Sequence, residues 1–204
     1  NVEGFKKLIN ICKSKNIKKI VLLSSMSVYG KIKSKSITEK TKFIDPDPYG
    51  VSKIKMEKIL KDYCKIYSAD GLVLRLPGII GYKSKHNFLS HAFNFIRKNK
   101  FININNPYLK FNNIAHVENI ANIISTSIIK NKNFTVFNIG TTYPLLFIKI
   151  FEKIFKILKI KKKILFNKNL NKGFNIKLNN KLIKNYKLYS TKFAIEKFVN
   201  ENLN

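Results

Sequence analysis

Apolar residues recur at helical spacing at the start of the chain, where Val2, Phe5, Leu8, Ile9 and Cys12 share one face. The pattern then changes to a short, continuous apolar run, IKKIVLLSS (17–25), that ends in small polar residues. Such a run predicts a parallel strand buried on both faces, because a strand covered on one side alone alternates apolar with polar. Residues 31–48 are polar and hold Pro46 and Pro48, which predicts a loop. A helix is expected from about Tyr49 to Tyr67, then a second buried strand at LVLRL (72–76). PGIIGYKSK (77–85) predicts a loop, NFLSHAFNFIRKN (87–99) a helix, FININ (101–105) a strand, VENIANIISTSIIK (117–130) a helix and TVFNIG (135–140) a strand. Leu145 to Ile160 carries a strong apolar helical face, which predicts core packing ahead of a place on a membrane surface. STKFAIEKFVNENL (190–203) predicts a final helix. Strands alternating with helices give an α/β fold with a parallel sheet covered on both faces.

Charge changes this picture little. The formal net charge is +29, which by itself suggests nucleic acid or an anionic surface. Yet the cations are almost all lysine, with arginine only at positions 75 and 97, and they are spread along the whole chain. Lysine supplies charge but little of the two-pronged base readout of arginine, so no specific nucleic-acid partner is expected. Cys12 and Cys64 sit on apolar helical positions, far apart and away from any histidine cluster, and are expected as buried free thiols with no metal site. No apolar run approaches the ~18 residues of a membrane-spanning helix, and no signal peptide shows, so no membrane is expected and a cytoplasmic place is.

The candidate chemistry lies in SSMSVYG (24–30) and PYGVSK (48–53). Residues four apart on a helix lie near one face, so Tyr49 and Lys53 point the same way. They open a helix just after a strand whose carboxyl end carries Ser24 and Ser25, and open α/β sheets bind ligands at those ends. A phenol titrates near ~10, and bringing one to ~7 takes about 4 kcal/mol of differential stabilisation at ~1.36 kcal/mol per unit. A lysine ammonium one turn away together with a cationic cofactor ring supplies energy of that order. The Ser25 hydroxyl can then hydrogen-bond an oxygen that changes between alcohol and carbonyl.

NVEGF (1–5), SSMSVYG, PYGVSK, LRLPGIIG (74–81), HVENIA (116–121) and FNIG (137–140) together resemble, in order and spacing, the extended short-chain dehydrogenase/reductase family of nucleotide-sugar epimerases, dehydratases and reductases. The resemblance covers essentially the whole chain. It implies a partial doubly wound, Rossmann-like parallel sheet with a small C-terminal substrate lobe. Residues 1–80 would form the later half of the dinucleotide-binding domain, and 81–204 mainly the lobe, with 101–140 adding strands and a helix to the main sheet. By resemblance Tyr49 is the catalytic acid/base, Lys53 holds the cofactor ribose, Ser25 is the catalytic hydroxyl, and Asn1 supports the lysine through water. Ser24 and Pro77 fall among the contacts to an NAD or NADP cofactor. Ser25, Met26, Gly78, Asn87 and Phe88 fall among those to a nucleotide-sugar substrate. A homodimer is implied through the two helices that begin near Asn1 and Tyr49, with Leu60 and Tyr67 as candidates for an outward apolar strip.

Departures from the family pattern sharpen the expectation. No G-x-x-G-x-x-G occurs, so about 80–90 residues of the family's fold, at ~30 per βαβ unit, are expected to lie outside this chain, and the chain alone is expected to be inactive. Gly78 replaces a substrate-binding asparagine, and Asn112 an arginine of the diphosphate clamp, with Lys110 or Lys172 as replacement point charges. Met26 and Ser27 follow Ser25 where dehydratases carry an Asp-Glu pair, and Glu39, across a polar loop, is expected to stay away. The reading is therefore an epimerase or reductase. Its alternatives are a non-catalytic dinucleotide-sensing or scaffold protein of the same fold, and a basic nucleic-acid-binding module.

Overall fold

Three parallel strands form the central sheet: β1 (Lys19–Ser25), β3 (Asp70–Leu76) and β8 (Phe134–Asn138), in the order β1-β3-β8. The fold is that of a computed structural model, which describes residues 1–130 (side chains to 126), 133–166 and 174–203. Helices α1 (Val2–Ser14) and α2 (Pro48–Tyr67) cover one face, where Phe5, Ile9, Cys12, Leu22, Leu60, Tyr63, Cys64 and Val73 pack together. The other face meets α4 (Val117–Lys130) and α6 (Asn180–Asn185) through Leu72, Leu74, Leu76, Ile120, Ile123, Phe137 and Leu182. The period of two along β3 thus feeds two cores, which is why its sequence reads as an unbroken apolar run. Coverage of the second face is incomplete at β1, where Leu23 is 42% exposed.

Of the residues expected to extend the main sheet, 134–138 do so as β8 and α4 packs against them. FININ forms β5 (Ile102–Ile104) as expected but pairs in parallel with β10 (Ile164–Phe166) in a separate ladder. PGIIGYKSK is corrected in part: β4 (Gly78–Ile80) runs parallel to β7 (Ile114–His116). Two further ladders are two residues wide, β2 (Ser36–Ile37) with β11 (Asn175–Ile176), and β6 (Lys110–Phe111) with β9 (Leu145–Leu146). A pair of residues carries no periodicity, so only the distant partner reveals them.

A third core holds the lobe together. Helices α3 (Phe88–Arg97), α5 (Phe147–Leu158) and α7 (Thr191–Glu201) bury Leu89, Phe93, Ile96, Ile150, Phe151, Ile154, Phe155, Ile195 and Phe198 against β4, β5 and β7. The apolar stripe of α5 is therefore a core face, and no helix among the described residues is long and apolar enough to cross a membrane. Cys12 and Cys64 are free and buried, and burial pushes the Cys64 thiol up to about 11. One of the two dimer candidates on α2 needs correction. Leu60 is fully buried against the sheet and Tyr67 packs on Tyr63. Besides Tyr49, the large apolar side chains that α1 and α2 leave in water are Leu8, Ile11 and Ile66.

Candidate active site

Strand β1 delivers two adjacent serines to its carboxyl end, and the pleat sends them opposite ways. Ser24 lies on the α2 face with Leu22, is 3% exposed, and donates to Glu57 Oε1 at 2.6 Å. The Ser24 hydroxyl, expected to face a cofactor, is turned inward and engaged. Ser25 is half-buried and caps a single 3₁₀ turn, Met26–Tyr29, accepting from the Ser27 amide at 3.1 Å and donating to Ser27 Oγ at 3.1 Å. The turn closes at Gly30, whose φ of +59 favours glycine and whose missing side chain lets the Ile44 carbonyl approach.

The same turn seats the start of α2. Asp47 caps the helix, taking the Gly50 amide at 2.7 Å, and Pro48 occupies the first turn with its φ preset. Gly50 is sterically required, since a Cβ there would overlap the Ser27 carbonyl oxygen and lie 2.9 Å from its carbon. Tyr49 therefore enters the first turn of a helix pressed on the segment that follows Ser25. Its ring is 46% exposed. The Lys53 ammonium stands 5.5 Å from the Tyr49 ring centroid and donates to the Leu23 carbonyl of β1 at 2.9 Å. Two of its three N–H bonds remain available for the hydroxyls of a ribose.

Strand β3 completes the rim. Its last residue, Leu76, pairs with Ser25, so the half-buried Pro77 and Gly78 follow directly beside the serine. A Cβ on Gly78 would make only ordinary contacts, 3.7 Å to Asn87 Cβ and 3.9 Å to the Asn113 carbonyl. Phe88 is 37% exposed at the edge of an aromatic cluster with Phe111 and Phe147, at centroid distances of 5.2 and 5.6 Å.

Other expected contacts are spent on structure. The side chain of Met26, expected among the substrate contacts, is buried among Val28, Tyr29, Ile37 and Ile176. The Asn87 side chain caps α3 by accepting from the Ser90 amide at 2.9 Å and donates to the Ile79 carbonyl at 2.8 Å, leaving its amide engaged at both ends. Asn1 is exposed and its side chain makes no capping bond. Asn112 is 1% exposed and bonds the Thr141 and Ile176 carbonyls at 3.0 and 2.9 Å and the Ile176 amide at 2.8 Å. It staples β11 to the β8 loop and has no reach toward a ligand. Lys110 is exposed, while Lys172 lies outside the described residues.

Two features escaped the sequence reading. Glu39 folds back across its loop, and its Oε1 accepts the Asn138 amide at 2.8 Å. Arg75 and Glu57 form a buried ion pair at 2.7 Å beneath the site. One signal for it was available, a lone arginine inside an apolar strand. Burial raises the phenol of the adjacent Tyr29 above its ordinary value, with Arg75 pulling the other way.

Comparison with known proteins bears on the family and the fold. Residues 1–140 match the model of the NAD dependent epimerase/dehydratase family. The chain is similar to a dTDP-D-glucose 4,6-dehydratase of Dictyostelium discoideum, 24% identical in a match 169 positions long that covers 77% of this chain and 39% of that protein. A UDP-glucose 4-epimerase of the same organism is 38% identical over 64 residues, 31% of this chain and 19% of that one. Among solved structures, the UDP-glucuronic acid 4-epimerase of Bacillus cereus in complex with NAD matches with a TM-score of 0.81 at 19% identity, over 98% of this chain and 65% of that one. The dTDP-glucose 4,6-dehydratase of Bacillus anthracis in complex with NAD matches with a TM-score of 0.78 at 21% identity, over 98% and 66%. At such identities the structural likeness speaks for the fold. The chain spans about two thirds of the length of these structures, and less of the curated relatives.

Proposed function

The chain belongs to the NAD dependent epimerase/dehydratase family, and from that premise we propose that it carries the reacting groups of an NAD(P)-dependent enzyme that transfers hydride at a carbinol of a nucleotide-linked sugar. The observation that supports this most is that α2, which carries Tyr49 and Lys53, starts against the turn that Ser25 caps, with Gly50 closely fitted to Ser27 and Lys53 bonded to the Leu23 carbonyl of β1. Tyr49 takes the hydroxyl proton as the carbinol carbon is oxidised, and returns one on reduction. Lys53 favours the phenolate by its charge and binds ribose hydroxyls through its free N–H bonds. Ser25 donates to the oxygen that alternates between alcohol and ketone. When bound, the nicotinamide supplies the hydride acceptor. Residues 1–80 serve the cofactor half of the site and the lobe beyond them the substrate, with Gly78 and Phe88 on its rim.

An epimerase or reductase needs no more than these groups. Elimination of water needs a further acid and base, and the two residues after Ser25 do not offer them. Met26 is buried and carries no exchangeable proton, and Ser27 is bonded to Ser25. Glu39, the nearest carboxylate on that side in sequence, holds the Asn138 amide.

The test uses the full protein that contains this chain, with NAD and the UDP or dTDP derivatives of glucose and glucuronic acid, products being read by NMR. Tyr49→Phe is expected to lower turnover at least ~100-fold, the low end of a general acid–base contribution, with cofactor affinity nearly unchanged. Near-normal turnover in that variant would remove Tyr49 from its role, and a 4-keto-6-deoxy product would make the enzyme a dehydratase.

A further inference from the structure

Beneath the site runs a buried polar row that crosses the sheet. Ser24, Arg75 and Asn138 occupy matching positions on β1, β3 and β8, paired residue to residue, and all three lie on the α2 face. Glu57 reaches this row from α2, one turn beyond Lys53 and two beyond Tyr49. Arg75 grips its carboxylate with both prongs, Nε to Oε1 at 3.1 Å and Nη2 to Oε2 at 2.7 Å, and Ser24 donates to the same Oε1 at 2.6 Å. The third nitrogen, Nη1, donates to Tyr29 Oη at 2.8 Å and contacts the Glu39 carbonyl at 3.4 Å. Tyr29 in turn donates to Asn138 Oδ1 at 2.7 Å. The guanidinium lies 5.2 Å from the ring centroid of Tyr29 and 5.0 Å from that of Phe43. Arg75 and Glu57 are 5% and 7% exposed.

We propose that the Arg75–Glu57 pair is a positioning device that sets how far α2 lies along β1, and so fixes Tyr49 and Lys53 against Ser25. One guanidinium ties together every element that carries a reacting group. Through Glu57 it holds the helix of Tyr49 and Lys53. Through the shared carboxylate it holds Ser24, the residue before Ser25. Through Tyr29 it holds the turn that Ser25 caps and the loop bearing Glu39. Apolar contacts between α2 and the sheet can slide with small loss, whereas a two-pronged bond satisfies both carboxylate oxygens at a single helix position. A buried ion pair is also a poor source of stability compared with apolar packing of the same volume. Its presence here beside the reacting groups is accounted for by geometry.

This inference rests on Ser25, Tyr49 and Lys53 being the reacting groups, and two readings separate its failure from that of the proposed function. The variant is the double replacement Arg75→Met with Glu57→Leu, which removes both charges and keeps the volume. In the full protein we expect the variant to remain folded, with kcat lowered on the order of 100-fold, as a displacement of ~1 Å at a reacting centre does, and KM within about twofold since the row touches no substrate. Restoring the pair's charges with Arg75→Lys on native Glu57 is expected to recover part of that loss, because lysine keeps the ion pair without the fork. The second reading needs no turnover. A crystal structure of the double variant is expected to show α2 shifted along its axis relative to Ser25. A folded double variant with native kcat, or with α2 in its native place, overturns the proposal. If the double variant fails to fold, Glu57→Gln is read the same way. An inactive wild-type protein would count against the proposed function, while the crystallographic result would still decide this inference.

Discussion

Gly50→Ala pits two well-understood effects against each other at the point where α2 meets the Ser25 turn. Alanine is favoured over glycine by roughly 1 kcal/mol in a helix interior, an upper bound in the first turn where Gly50 sits, so propensity alone predicts a more stable protein. Against that stands the Ser27 backbone. The added Cβ would overlap the Ser27 carbonyl oxygen and lie 2.9 Å from its carbon, where real side-chain carbons essentially never come within 3.0 Å. The obstruction is main chain held by the Ser25 cap, so it cannot swing aside as a side chain would. Overpacking of this kind costs about 1–3 kcal/mol, and the helix start must retreat on the order of 1 Å, enough at a reacting centre for about 100-fold in rate. Strain therefore outweighs propensity. The expected net loss of up to about 2 kcal/mol lowers Tm by up to about 8 °C in a chain of this size. Thermal unfolding of this chain and turnover of the full protein measure the two consequences. A variant with raised Tm and unaltered turnover would show that Tyr49 is not held by this contact.

Other perturbations have equally definite outcomes. Asn112→Ala removes three bonds to the buried backbone of Thr141 and Ile176 and is expected to destabilise by about 3 kcal/mol or more, given ~1–3 kcal/mol for each buried group left unsatisfied. A denaturant midpoint within error of wild type would refute the staple. Burial works to raise Glu201, but Lys197 and His116 outweigh it and hold the carboxylate below the ordinary value of 4.5. A depressed folded value gives stability that is present above pH 4.5 and is lost as pH falls through it. Lys197→Met should therefore move the acid-unfolding midpoint of the chain upward, and an unchanged midpoint would count against that pairing. The homodimer expected from the sequence would close on apolar side chains that α1 and α2 leave exposed, Leu8, Ile11 and Ile66. Ile11→Glu with Ile66→Glu should convert a dimer of the full protein to monomer in sedimentation at micromolar concentration, and an unaltered sedimentation coefficient would place the contact elsewhere.

Local pattern determined a great deal in this protein. The helical stripe of Phe5, Ile9 and Cys12, the buried run of β3 and the apolar face of α5 each carry their burial in their own spacing, so their type and partners' nature were legible without coordinates. The Tyr49–Lys53 pair was legible for the same reason, since four residues of helix bring the two side chains together whatever the rest of the chain does. Tertiary structure alone decided what depends on a distant partner. The ladders of Ser36–Ile37 with Asn175–Ile176 and of Lys110–Phe111 with Leu145–Leu146 are too short to have a period. Sequence placed two serines at the end of β1, and only the pleat against α2 separated the inward Ser24 from Ser25. It put a glutamate eight residues after Tyr49 and an arginine in a strand, and only the packing of α2 on the sheet joined them at 2.7 Å. A charge in a sequence has no direction, and it acquires one when the chain around it excludes water and leaves a single partner within reach.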